Sequence, residues 1–332
     1  MEDDRGVASM KIKHVLGMAA LLCMVILSGC GNENTAQDGS VPKKITIAYQ
    51  GGIGYAPVHV LEKKKLIEKN YNGKVEVNFV KLDSGAAVNE GIIGGTIDIG
   101  CMGLAPAISG VSKGLPYKAV ANLSSQAHGL MSNDLEIGSL KQIKPQDKIA
   151  LVSTGSIQHI LLGMAAEKTL GDAHALDNNI QRMSHAEGMA ALEAGAVKLH
   201  LTSAPFIYQE RALGRYVELP EVKEVWPQGN TFLVAMAAIS LQKDAELFNA
   251  VQKAFVQAVD FINENPEETL TIEEEYLQLD KDVIKSYLNE PDSKFFSDIR
   301  GMGKMASFMK RAGFIDKEVS KEQFAYGGVA CE

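Results

Sequence analysis

Tryptophan occurs once in this chain of 332 residues, as Trp226, and cysteine four times, at positions 23, 30, 101 and 331. Thiols so few and so widely spaced argue against a disulfide framework and against a CxxC metal pair. Positive charge is in deficit too. Lys and Arg number 33 against 41 Asp and Glu, a formal net charge of -8, and no basic cluster follows the N-terminus. Nucleic acid is therefore not an expected partner. Also missing are a P-loop, a dinucleotide fingerprint, a Ser/His/Asp order and a metal-ligand set, so the sequence designates no catalytic residue, no metal and no cofactor. Heptads, short repeats and low-complexity segments are absent as well. What is present, 46% hydrophobic and 22% charged residues, is ordinary for a globular chain large enough to form two lobes.

The N-terminus carries an address. Lys11 and Lys13 precede an apolar run from Val15 to Leu27. That run is shorter than the ~20 residues of a membrane span but suits a signal-peptide core. Leu27-Ser28-Gly29-Cys30 follows at once and resembles a bacterial lipobox, in which the cysteine is lipidated and becomes the mature N-terminus. The expected organisation is a signal peptide over 1–29 and a lipidated flexible tether over 30–43, polar and turn-rich. Glu2, Asp3 and Asp4 would make the signal acidic, so translation is expected to begin at Met10. Cys101 ends an apolar run and reads as a buried small hydrophobe.

From Lys44 onward, strand and helix alternate. Ile45 to Tyr49 is strand-like, Ala56 to Ile67 helical with Pro57 in its first turn, Val75 to Val80 a strand, and helices ending near Ile93 and Lys113 flank a short buried strand at Ile97 to Cys101. After a strand at Lys118 to Leu123 the same grammar restarts, with strands at Ile149 to Val152, Asn179 to Met183, Val197 to Leu201 and Tyr216 to Leu219. Such a series makes mostly parallel sheets covered by helices. Thr231 to Ile239 is apolar and β-leaning. Beyond it the chain is helical, led by Asp244 to Asn263 with Leu247, Val251, Phe255, Ala258 and Phe261 on one face.

The stretch Ile149 to Gly163 carries the chemistry. A short strand runs into Ser153, Thr154, Gly155 and Ser156, then into a helix whose first N–H groups lack intrahelical acceptors and sit at the positive end of the macrodipole. Five junctions share this plan: Gly51 to Gly54, Ser84-Gly85, Met102 to Leu104, Ser153 to Ser156, and Thr202 to Ala204. None contains Lys or Arg, so an anion, the first expectation, would rely on amide dipoles, hydroxyls and His, while a neutral polar solute is the alternative for the same reason. The expected ligand contacts are Gly52, Gly54, Tyr55, Ser84, Gly103, Leu104, Ser153, Thr154, Ser156, His159 and Ser203. His59 and His128, near a helix start and a hinge, are weaker candidates. His185 and His200 read as surface or packing residues, and Trp226 as lying near a return crossover.

Several motifs occur in order: Gly54-Tyr55-Ala56-Pro57-Val58-His59, Gly95-Thr96-Ile97-Asp98-Ile99-Gly100 with Gly103-Leu104-Ala105-Pro106, Gly155-Ser156-Ile157-Gln158-His159, and Pro205-Phe206. Behind a lipobox, this order resembles the lipoprotein substrate-binding components of ABC importers of the nitrate/sulfonate/taurine class. The resemblance covers about 44 to 315. It implies an α/β, two-lobe periplasmic-binding-protein-like (type II) fold with mixed, mostly parallel sheets, a cleft between the lobes and a helical C-terminal segment. Lobe 1 would be 44–127 plus 233–332, and lobe 2 128–232. It further implies a monomer, anchored through Cys30 at the extracytoplasmic face of the cell membrane, that passes a small solute to an ABC permease and its ATPase. Two other readings use the same fold: an enzyme such as a pyrimidine-precursor synthase or deaminase, and a ligand-sensing lipoprotein.

Overall fold

The computed structural model describes residues 43–72 and 75–332. The expected signal peptide, Cys30 and the tether up to residue 42 lie outside the described residues; Lys43, assigned to the tether, opens the first strand. In chain order the elements are β1 (Lys43–Tyr49), α1 (Ala56–Lys64), α2 (Leu66–Asn70), β2 (Val75–Lys81), α3 (Gly85–Ile93), β3 (Ile99–Gly103), α4 (Leu104–Ser112) and β4 (Tyr117–Ser124). Next come β5 (His128–Ser132), β6 (Ile149–Leu151), α5 (Ile157–Leu170), β7 (Ile180–Arg182), α6 (His185–Glu193), β8 (Leu199–Ser203), α7 (Phe206–Ala212), β9 (Val217–Leu219) and α8 (Pro220–Val225). Strand β10 (Leu233–Ala238) precedes α9 (Ala245–Glu264), α10 (Pro266–Leu277), α11 (Lys281–Leu288), α12 (Met302–Arg311) and α13 (Lys321–Phe324).

The strands form two five-stranded sheets, ordered β2-β1-β3-β10-β4 and β7-β6-β8-β5-β9. Each has three parallel strands followed by an antiparallel one. The two orders are the same pattern. Each sheet takes its antiparallel strand from just beyond a crossing of the chain: β5 enters the second sheet as the chain leaves the first, and β10 enters the first on its return. Strands β3 and β6 are buried throughout, which is why they read as unbroken apolar runs rather than alternating ones.

Two expectations need correction. The helix expected over Ala56 to Ile67 breaks at Lys65, whose φ of 51° places it in the left-handed region, so two helices replace one. The stretch His128–Ser132, assigned no element in the sequence and with His128 placed near a hinge, is strand β5; its partners are β8 and β9, far along the sequence, so local pattern carries little sign of it. The C-terminal segment, expected with the first lobe, also touches elements of 128–232. Helix α9 packs on α1 and α2, and α12 and α13 on α4. Tyr287 of α11, however, lies 5.1 Å from Tyr208 of α7, and Phe314 lies edge-on 5.2 Å from His159 of α5. Trp226 is buried in the return connection, its Nε1–H donating to the Thr231 carbonyl at 3.2 Å. Among the described residues no helix is long and apolar enough to cross a membrane.

Candidate ligand-binding site

A cavity of about 460 Å³ lies between the two sheets, within the range of small-molecule sites. The carboxyl ends of all six parallel strands feed it: Gln50 to Gly52 after β1, Leu82, Asp83 and Gly85 after β2, Gly103 of β3, Ser153 and Ser156 after β6, Ser184 after β7, and Ser203 of β8. Each of the five junctions marked in the sequence contributes lining residues. The sixth, Ser184 to Ala186, was missed, although its Ser-x-x-Glu pattern forms a capping box in which Ser184 Oγ accepts from the Glu187 amide and the Glu187 carboxylate from the Ser184 amide.

Helices α3, α4, α5 and α6 all begin at this cavity. Ser84 Oγ caps α3 by accepting from the Ala87 amide at 3.2 Å, and Ser156 Oγ caps α5 by accepting from the His159 amide at 3.3 Å. The remaining first-turn amides have no intrahelical acceptor, so four positive helix ends meet without a buried cation. The fixed charges in the lining, Lys81 and Asp83, are both on exposed residues. The remaining polar lining is dominated by neutral groups: the amides of Gln50, Gln126, Gln158 and Gln209, serine hydroxyls, and the Tyr55 phenol, which accepts from Gln50 Nε2 at 2.8 Å. Burial, with Cys101 adding, pushes the Tyr55 phenol well above its ordinary range and keeps it neutral.

Of the residues expected at the site, Gly52, Tyr55, Gly103, Ser153, Ser156 and Ser203 line the cavity. Gly54, Ser84, Leu104, Thr154 and His159 do not, for separate reasons. Gly54 is a seat: a Cβ there would lie 1.9 Å from Gln126 Nε2, so its missing side chain lets the Gln126 amide into the wall. Ser84 spends its oxygen on the α3 cap, Leu104 is wholly in the core, and Thr154 is exposed. His159 faces away from the cleft. Its Nδ1 accepts from the Gly155 amide at 2.9 Å, which leaves Nε2–H to donate to Asp177 at 3.1 Å. It braces the turn rather than reaching into the cavity.

The other histidines also moved from their expected places. His59 lies behind the wall, stacked at 4.2 Å on Tyr276, with Nδ1 2.9 Å from the buried Glu273 carboxylate. His128 is buried against the lining residue Phe232, and burial lowers its pKa. His185, read as a packing residue, lines the cavity, and His200 sits buried behind it with Nδ1 on Glu210. Burial, reinforced by neighbouring His200, pushes His185 down to about 3. Further unanticipated wall residues are Gln158, Phe206 and Tyr276. Gln158 and Phe206 stand on the first turn after a marked junction, which is a usable signal; Tyr276 arrives from α10 and has none.

The sequence profile of the NMT1-like family matches residues 38–273. Among curated proteins no sequence matches significantly. Solved structures are similar in fold. The aliphatic sulphonate binding protein SsuA from Escherichia coli superimposes with a TM-score of 0.66 at 20% identity, over 88% of this chain and 94% of that one. The alkanesulfonate-binding protein SsuA from Xanthomonas axonopodis pv. citri, bound to MOPS, gives 0.69 at 16% over 84% and 96%. The nitrate-binding protein NrtA from Synechocystis PCC 6803 gives 0.67 at 14% over 85% and 84%. At these identities the likeness establishes the two-lobe periplasmic-binding-protein fold.

Proposed function

This chain belongs to the NMT1-like family, and from that starting point we propose that it captures a small solute between its two lobes and delivers it to an ABC permease and its ATPase. The observation that carries the reading is the cavity fed by the carboxyl ends of six parallel strands, three from each sheet, where open α/β sheets place their ligands. Converging helix N-termini and hydroxyls favour an oxygen-rich anion of the sulfonate or nitrate kind, the ligands named for the similar structures. Capture needs hydrogen bonds and closure, and the lining supplies the former. In this reading lobe 1 is 44–127 plus 233–332 and lobe 2 is 128–232. The signal 1–29 is removed, Cys30 is lipidated, and a monomer is tethered at the extracytoplasmic face of the membrane.

A calorimetric panel of methanesulfonate, nitrate, bicarbonate, acetate and uracil on the mature protein tests this, with small-angle scattering on any hit. Saturable binding with compaction is the expected result. Binding without compaction would refute capture between the lobes.

A further inference from the structure

The wall of the second lobe contains a hydrogen-bonded chain that reaches the cavity at Gln158. Thr202 of β8 is fully buried, and its Oγ1 lies 3.0 Å from His185 Nδ1. His185 Nε2 lies 3.3 Å from Gln158 Nε2, and both residues line the cavity. Behind them His200 and Glu210 form a buried pair, the two imidazole centroids being 5.9 Å apart. Glu187 on the same helix as His185 is engaged in the capping box, and the charged residues elsewhere in the cavity lining are Lys81 and Asp83.

A neutral imidazole has one donor and one acceptor, so two arrangements satisfy this chain. If Nδ1 carries the proton it donates to Thr202, and the Thr202 hydroxyl proton is then buried without an acceptor, because His185 is its one side-chain partner among the described residues. If Nε2 carries the proton, the Thr202 hydroxyl donates to Nδ1, Nε2–H donates to the Gln158 carbonyl once that amide is turned end for end, and no donor is stranded. The orientation of a glutamine amide is decided by such networks, since its nitrogen and oxygen are nearly alike in shape. We infer that His185 is held as the Nε2–H tautomer, turning the Gln158 carbonyl inward and its NH2 toward the cavity, so that Gln158 is a specificity-determining residue for a ligand oxygen or other acceptor. The inference rests on the capture reading above and deepens it. Beside the first amides of α5 and the Ser156 hydroxyl, the Gln158 NH2 completes a patch made of donors. His185, which acts through Gln158, is a positioning residue.

Nitrogen-15 NMR of the histidine rings in the mature protein, unliganded, between pH 5 and 8 reads the tautomer without any solute. The expected result is a neutral His185 protonated at Nε2, with that proton slow to exchange in the wild type and fast in Gln158→Leu. Thr202→Val should convert the single tautomer into a mixture. Calorimetry then compares methanesulfonate, all acceptors, with methylguanidinium, all donors: the first should bind, the second should not, and Gln158→Glu should weaken methanesulfonate at least tenfold. An Nδ1–H tautomer, an imidazolium, or unchanged methanesulfonate affinity in Gln158→Glu overturns the inference. The expected tautomer and exchange pattern in a wild-type protein that binds no probe would support the inference and count against capture of such solutes.

Discussion

Gly103→Ala is the most direct test of a hinged pair of lobes. Gly103 caps α4 with φ −60° and ψ 149°, a conformation any residue adopts, so alanine adds no backbone strain. Its Cβ would lie 3.2 Å from Ile157 Cγ2 and 3.3 Å from Ile157 Cβ, across the cleft on the second lobe. Carbon atoms prefer about 3.5–4.0 Å, so the methyl intrudes by a few tenths of an ångström. Overpacking a rigid core costs roughly 1–3 kcal/mol. Here the obstructing atoms belong to the other lobe, and opening the cleft removes the clash. The cost should therefore fall on the closed arrangement and shift the open–closed ratio by about five- to 150-fold. Small-angle scattering of the unliganded variant should show a larger radius of gyration, while the melting temperature stays near that of the wild type. Adding Ile157→Ala, which removes Cγ2 but leaves Cβ, should recover part of the compaction. A variant that loses stability at unchanged radius would mean the cleft is an ordinary core seam, and the reasoning would fail.

Three further outcomes are expected, two from the geometry and one from the proposed lipid anchor. His159→Ala removes bonds to Gly155 and Asp177, each worth about 0.5–1.5 kcal/mol, so it should lower the melting temperature yet weaken solute binding less than Ser156→Ala does; calorimetry showing the reverse order would return His159 to the site. Asp244 is held well below the ordinary carboxylate range by Lys43, then by the Tyr71 hydroxyl at 2.7 Å and the Leu247 amide at 3.0 Å. A depressed carboxylate stabilises the fold above its unfolded pKa, about 3.9, and loses that contribution as pH falls through its folded value. Asp244→Asn should thus cost on the order of 1 kcal/mol at pH 7, after screening, and the gap should close in urea titrations as pH drops below about 4. Cys30→Ala should appear in the soluble fraction with solute affinity unchanged, as read by fractionation and calorimetry; lost affinity in the folded variant would tie anchor and site together.

The sequence shows the layout of the site better than its contacts. Strand ends followed by small residues and caps are local facts, and all five junctions read that way contribute to the cavity wall. Which side chains turn inward is a tertiary matter. His159 looked suited to a ligand until the Gly155 amide and Asp177 claimed both its nitrogens, and His185 looked like packing because Thr202 and His200 become its neighbours only in the folded sheet. Strand β5 escaped notice because His128, Gly129 and Ser132 break any apolar pattern, and its burial comes from the strands on either side. The likeness of the two lobes was visible as a repeated strand–helix grammar, though their shared strand order was not. The exchange of antiparallel strands between them was not, since sequence adjacency says nothing of which sheet a strand will join.

The four helix ends that meet at the cavity bear on how it empties as well as how it fills. A site that holds an anion with a buried arginine or lysine is left, once vacated, with a stranded charge that water or a counter-ion must neutralise. Peptide dipoles carry no net charge. If the captured solute is an anion, as proposed, its departure would leave amides and hydroxyls that a few waters can satisfy, and the unloaded form would bear little electrostatic penalty. In the proposed capture, retention then depends chiefly on how long the lobes stay shut under contacts such as Arg311 with Glu167, and once they part no salt bridge to the solute itself remains to be broken.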